Sequence, residues 1–138
     1  MTLVEGDVSS GADLEMAAMG LDSADLNADG QLDYCITDVG RPLCLVSQGD
    51  GLYAEGGASL GVYPDGVGGA GAFLSTVGWS LDFADLDNDG WMDLMTHEIV
   101  HWDVGSSSDP SEILHNLGDS EVRFERPGNA AALGCGEQ

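Results

Sequence analysis

Apolar and polar residues alternate over short runs in this chain, and the glycines and turn residues between the runs leave no long stripe of 3.6-residue period. Leu81-Asp82-Phe83-Ala84 and Met92-Asp93-Leu94-Met95-Thr96 show the period-2 pattern of half-buried strands. On this basis the first half is predicted to hold strands near Leu21–Ala24, Leu32–Thr37, Leu43–Ser47 and Leu52–Glu55. The second half is predicted to hold strands near 81–84, 92–97, 112–116 and 122–125. Short strands joined by tight turns form antiparallel meanders. Two such four-stranded meanders in tandem predict an all-β chain built like the blades of a β-propeller.

The two halves repeat each other. A shift of sixty residues lays Gly11-Ala12 on Gly71-Ala72, Leu21-Asp22 on Leu81-Asp82 and Ala24-Asp25-Leu26 on Ala84-Asp85-Leu86. It also lays Asp29-Gly30 on Asp89-Gly90 and Asp33 on Asp93. Further on, Gly49-Asp50 matches Gly118-Asp119 at a shift of 69, so the second copy carries about nine more residues, around 105–110. The expected units are 1–70 and 71–138. The Gly-rich stretch 56–71, with Pro64-Asp65-Gly66, is expected to connect them.

The repeat places the same chemistry twice. Asp85, Asp87, Asp89 and Asp93 stand at the first, third, fifth and ninth positions of one stretch, with Gly90 at the sixth; Asp25, Asn27, Asp29, Asp33 and Gly30 repeat the arrangement. Hard cations such as calcium collect several oxygen ligands, and alternate residues of a tight loop can aim theirs at one centre. Gln31 and Trp91, at the seventh position, would add backbone carbonyls. An EF-hand would need flanking helices and a bidentate Glu at the twelfth position, where this chain has Ile36 and Thr96. Each loop is therefore expected to be the tip of a β-hairpin closed by a cation, two calcium ions per chain.

Charge strengthens that expectation. Twenty-five acidic residues face three arginines, for a formal net charge of −22. Such a chain offers no basic surface to nucleic acid and is repelled by anionic lipid. Its self-repulsion opposes compaction, which bound cations would relieve. No apolar run reaches membrane-spanning length. The start, Met1 to Asp7, lacks the basic and apolar regions of a signal peptide, as expected if a leader were removed or the chain were a piece of a larger protein.

Three cysteines are present. A two-residue turn at Val39-Gly40 would set Cys35 opposite Cys44, close enough for a cross-strand disulfide, with two small buried thiols as the alternative. Cys135 is left without a partner and could pair between chains. His97-Glu98-Ile99-Val100-His101 spells H-E-x-x-H, but zinc hydrolysis needs those histidines on one helix face, and His97 ends a predicted strand. Incidental metal capture by His97, His101 or His115 competes with catalysis there. Trp79 is expected to pack between the blades and Trp91 to cover its loop.

The stretch 85–94, preceded by Gly78-Trp79-Ser80-Leu81-Asp82-Phe83, resembles the FG-GAP/VCBS repeats of integrin-like β-propellers. Leu114-His115-Asn116-Leu117-Gly118-Asp119 with Phe124, and Gly49-Asp50-Gly51-Leu52-Tyr53 in the first copy, resemble the later strands of that repeat. The resemblance implies four-stranded blades, calcium at the hairpin loops and an extracellular or cell-surface setting. It also implies that Asp25, Asn27, Asp29 and Asp33, with Asp85, Asp87, Asp89 and Asp93, take the ligand positions. Two blades leave edges open, so further blades of a longer chain or self-association are expected. The expected role is a non-enzymatic, calcium-stabilised module for extracellular binding or adhesion, with a protein or glycan as ligand. A filament-forming subunit is the second expectation, and a zinc hydrolase through His97, Glu98 and His101 the third.

Overall fold

The computed structural model describes residues 17–39, 42–62, 77–99, 111–118 and 123–125. They form eight strands and, among the described residues, no helix. The strands are β1 (Leu21–Ala24), β2 (Asp33–Ile36), β3 (Leu43–Gly49), β4 (Leu52–Glu55), β5 (Val77–Ala84), β6 (Asp93–Ile99), β7 (Glu112–Asn116) and β8 (Phe124–Glu125). Two four-stranded sheets result, ordered β1-β2-β3-β4 and β5-β6-β7-β8, and every pairing is antiparallel between consecutive strands. The all-β class and the tandem meanders expected from the alternation are what the chain adopts.

Strand limits shift where local geometry overrides the pattern. β2 and β6 start one residue late, because Leu32 and Met92 remain in the loops and exposed. β5 starts four residues early. Its register steps between Gly78 and Ser80, so Trp79 is the extra residue of a bulge and the simple alternation is hidden. That bulge also corrects the expectation for Trp79: it is 59% exposed rather than packed between the sheets. A second bulge between Ser47 and Gly49 carries β3 past its predicted end. Gly40 and Arg41 of the expected turn, Pro64-Asp65-Gly66, the insertion at 105–110, Val122, Trp102 and Cys135 lie outside the described residues. Val39 pairs with Val77 of the second sheet.

One apolar cluster serves both sheets. Ala24, Leu26, Cys35, Cys44, Leu60 and Val62 from the first half meet Leu81, Leu94, Leu114 and Phe124 from the second. Burying each of these leucines contributes about 1.5–3 kcal/mol, far more than any surface contact nearby. Leu60 and Val62 enter the core on a turn after β4, in which Leu60 N–H donates to Gly56 O and Val62 N–H to Gly57 O. Polar contacts join the same two layers. Phe83 N–H donates to the Asp22 carboxylate (2.8 Å), Gly78 N–H to Asp38 O (3.1 Å) and Phe124 N–H to Leu60 O (2.7 Å).

Candidate metal centres

Both acidic loops connect antiparallel strands, 25–32 between β1 and β2 and 85–92 between β5 and β6. Their carboxylates are set by backbone donors in the same order. In the first loop Asp29 N–H and Gly30 N–H donate to the two oxygens of Asp25 (3.0 and 2.9 Å). Asp29 N–H also donates to Asn27 Oδ1 (3.1 Å), and Gln31 N–H to Asp29 Oδ1 (2.8 Å). In the second loop Asp89 N–H and Gly90 N–H donate to Asp85 (both 3.1 Å), Asp89 N–H to Asp87 Oδ1 (3.1 Å) and Trp91 N–H to Asp89 Oδ1 (2.9 Å). Gly30 and Gly90 sit at φ of 83° and 94°, the left-handed backbone that turns the chain back toward the first aspartate.

The ninth-position aspartates play a different part from the others. Asp33 and Asp93 open β2 and β6 and are buried, whereas Asp29, Asp87 and Asp89 are exposed. Asp33 accepts from Leu26 N–H (3.0 Å) and Ser47 N–H (2.8 Å), tying the loop start to β3. Asp93 accepts from Leu86 N–H (3.0 Å) and Asn116 N–H (2.9 Å), tying the second loop to β7. Burial pushes the Asp33 carboxyl above the ordinary aspartate range. The N–H groups of Ser47 and Leu26 oppose this, and the nearby charges of Asp29 and Asp25 add to it.

These donors suit a hard cation. Asp85, Asp87 and Asp89 each present an oxygen within 4.8 Å of the other two, and the set is all oxygen. A carboxylate oxygen that accepts one N–H keeps a lone pair for an ion. The carboxylates of the second loop therefore fit the implied calcium in donor type and spacing, and the first loop repeats the arrangement with Asn27, whose Nδ2 donates to Asp29 Oδ2 (3.0 Å), in place of Asp87. Trp91 lies against Gly118, where an added Cβ would stand 2.6 Å from its ring, so the glycine makes room for the indole beside the loop. The Gln31 side chain points elsewhere, accepting from Ser47 Oγ (3.0 Å).

Two further residues carry the loops: Asn116, which sequence reasoning does not find, and His115, which it places only among three histidines open to incidental metal capture. Asn116 is fully buried. Its Nδ2 donates to Leu26 O of the first loop and Met92 O of the second (3.2 Å each), and its Oδ1 accepts from Gly118 N–H. His115 places Nδ1 3.0 Å from Asp93 Oδ1 and 3.5 Å from Asp87 Oδ2. The signal available was the shift of 69 that matches Gly49-Asp50 to Gly118-Asp119, since it also sets Ser47 on Asn116 and Val46 on His115.

Elsewhere, Cys35 and Cys44 face each other across β2 and β3, and their sulfurs are bonded, with the Cα atoms 4.1 Å apart. His97 and Glu98 are consecutive residues of β6, so their side chains leave opposite faces of the sheet. His97 Nε2 lies 3.6 Å from Asp82, and Ser111 Oγ accepts from Glu98 N–H. His101 lies outside the described residues. The helix face that H-E-x-x-H chemistry requires is not built by residues 97–99.

No curated protein matches the sequence. The family model for the FG-GAP-like repeat matches residues 25–96, from the first aspartate of the first loop into β6 and over more than half of the chain. The matched span contains both acidic loops, strands β2 to β5 and the first four residues of β6. The chain belongs to the FG-GAP-like repeat family.

Proposed function

We propose that this chain is a calcium-stabilised, non-enzymatic β-propeller-type module for extracellular binding or adhesion, with one calcium ion on each hairpin loop. The observation that carries the proposal is the matched carboxylate cage, built twice with the same backbone donors on the same side chains. Asp25, Asn27, Asp29 and Asp33 would hold the first ion with the Gln31 carbonyl, and Asp85, Asp87, Asp89 and Asp93 the second with that of Trp91. Calcium supplies positive charge where the chain is most negative, so its binding energy becomes folding energy. An extracellular setting agrees with where FG-GAP repeats typically act and with the Cys35–Cys44 disulfide. Among the described residues no helix is long and apolar enough to cross a membrane.

Calorimetric titration of the chelator-treated protein tests this. Two calcium ions per chain are expected, falling to one in Asp85→Ala and one in Asp25→Ala. Absence of uptake at millimolar calcium would overturn the assignment.

A second part of the proposal concerns partners. Leu26 is 0% exposed beneath the second sheet, whereas its repeat counterpart Leu86 is 47% exposed. In the opposite sense, Leu81 is buried against the first sheet while its counterpart Leu21 is 61% exposed. The outer faces thus repeat, uncovered, the two surfaces that the sheets bury against each other. Further blades, or copies of this chain joined head to tail into a ring or filament, would cover them. Light scattering separates a discrete particle from unlimited growth.

A further inference from the structure

The two loops are not chemically equal. Asp87 replaces Asn27, adding a carboxylate. The strand registers Tyr34↔Leu45 and Leu94↔Leu114 make Val46 and His115 counterparts, so the strand position that carries an imidazole beside the second loop is a valine in the first sheet. Asp87, Asp93 and His115 each offer one donor atom within 4.8 Å of the other two. The separations involving His115 Nδ1 are 3.0 Å to Asp93 Oδ1 and 3.5 Å to Asp87 Oδ2.

Those separations have the size of coordination-polyhedron edges. For ligands about 2.1 Å from a zinc-class ion, neighbouring donors lie ~3.0 Å apart in an octahedron and ~3.4 Å apart in a tetrahedron. Imidazole nitrogen favours zinc, cobalt, nickel and copper, whereas a purely oxygen set favours calcium and magnesium. Asp93 is held by Leu86 N–H and Asn116 N–H, and His115 is carried on β7, so two of the three donors are fixed by the sheet. A hydrogen bond between Nδ1 and the Asp93 carboxylate requires the ring proton to sit on Nδ1, since the carboxylate can only accept. An ion bound at Nδ1 would need the other tautomer of the neutral ring, with its single proton moved from Nδ1 to Nε2.

We propose that Asp87, Asp93 and His115 form a site for one zinc-class divalent ion per chain, on the second loop alone, in exchange with calcium. It uses two carboxylates of the loop assigned to calcium above and so rests on that loop's being a cation site, though not on calcium being its ion.

The test is titration of the metal-stripped full chain with Co²⁺, read by visible absorption. One tight Co²⁺ per chain is expected, with a d–d band that reports nitrogen ligation. His115→Val, which copies the first loop, is expected to weaken it on the order of tenfold or more and remove the nitrogen contribution to the band. Calcium stoichiometry and circular dichroism should be unchanged in that variant. His97→Val is expected to behave as the parent. In the unmodified protein, Zn²⁺ should move the His115 ring-nitrogen resonances and leave those of His97 in place. Unaltered Co²⁺ affinity and spectrum in His115→Val, or an equal loss in His97→Val, would overturn the proposal. If neither loop takes calcium while Co²⁺ binding still depends on His115, the calcium assignment fails and this one stands.

Discussion

Ala28 and Asn88 occupy the same place in the two loops, at φ of 57° and 63°. Asparagine tolerates that left-handed backbone, whereas alanine brings its Cβ against the carbonyl at a cost of roughly 1 kcal/mol. Ala28→Asn or Ala28→Gly should therefore stabilise the protein by about 0.5–1 kcal/mol, seen as a higher denaturation midpoint at unchanged m-value. Asn116 gives the opposite case. Removing its amide in Asn116→Ala leaves the carbonyls of Leu26 and Met92 short of a donor, and a loss of about 1–3 kcal/mol is expected in urea denaturation. At this scale the sequence was legible where a residue type repeats at fixed spacing, as the loop aspartates do. It was not legible where a contact spans distant segments. Nothing local to Asn116 or His115 says that one will meet Leu26, 90 residues away, and the other Asp93.

At the scale of strands and hairpins, the alternation located all eight elements because each sheet has an apolar face that must be covered. The expectation that a large aromatic packs inward fails at Trp79, where a bulge shifts the register by one residue and the side chain is exposed. The disulfide across β2 and β3 closes a short loop between sequence positions nine apart. In the chain-entropy model such a bridge contributes about 2–3 kcal/mol by restricting the unfolded state. Cys35→Ser/Cys44→Ser, or reduction of the parent protein, should lower the denaturation midpoint accordingly. The calcium stoichiometry should stay the same, because the bridge lies in β2 and β3 rather than in either loop.

For the whole molecule the governing fact is the charge of −22, concentrated in part on two hairpin tips. With calcium supplied, melting should occur at a temperature that rises with free ion concentration; adding a chelator should lower it sharply, by far more than the same ionic strength of sodium. Equal effects of the two salts would mean that screening alone, not site binding, supports the fold. The reciprocal exposure of Leu26 and Leu86, and of Leu81 and Leu21, adds an expectation for mass. Leu86→Glu should suppress association measured by light scattering while leaving calcium binding intact.

Asn116 and Phe124 carry one more implication, about the order in which the chain is made. Their hydrogen bonds to Leu26 and Leu60 mean that the first sheet is finished by groups supplied much later in the sequence, Asn116 standing 90 residues after Leu26. A nascent chain emerging from the ribosome would hold its first hairpin provisionally, with the carbonyl of Leu26 still wet, until residue 116 had cleared the exit tunnel. Residues 1–70 expressed alone should accordingly show weak amide-exchange protection in β1 and β2, and adding residues 71–138 in trans should restore it.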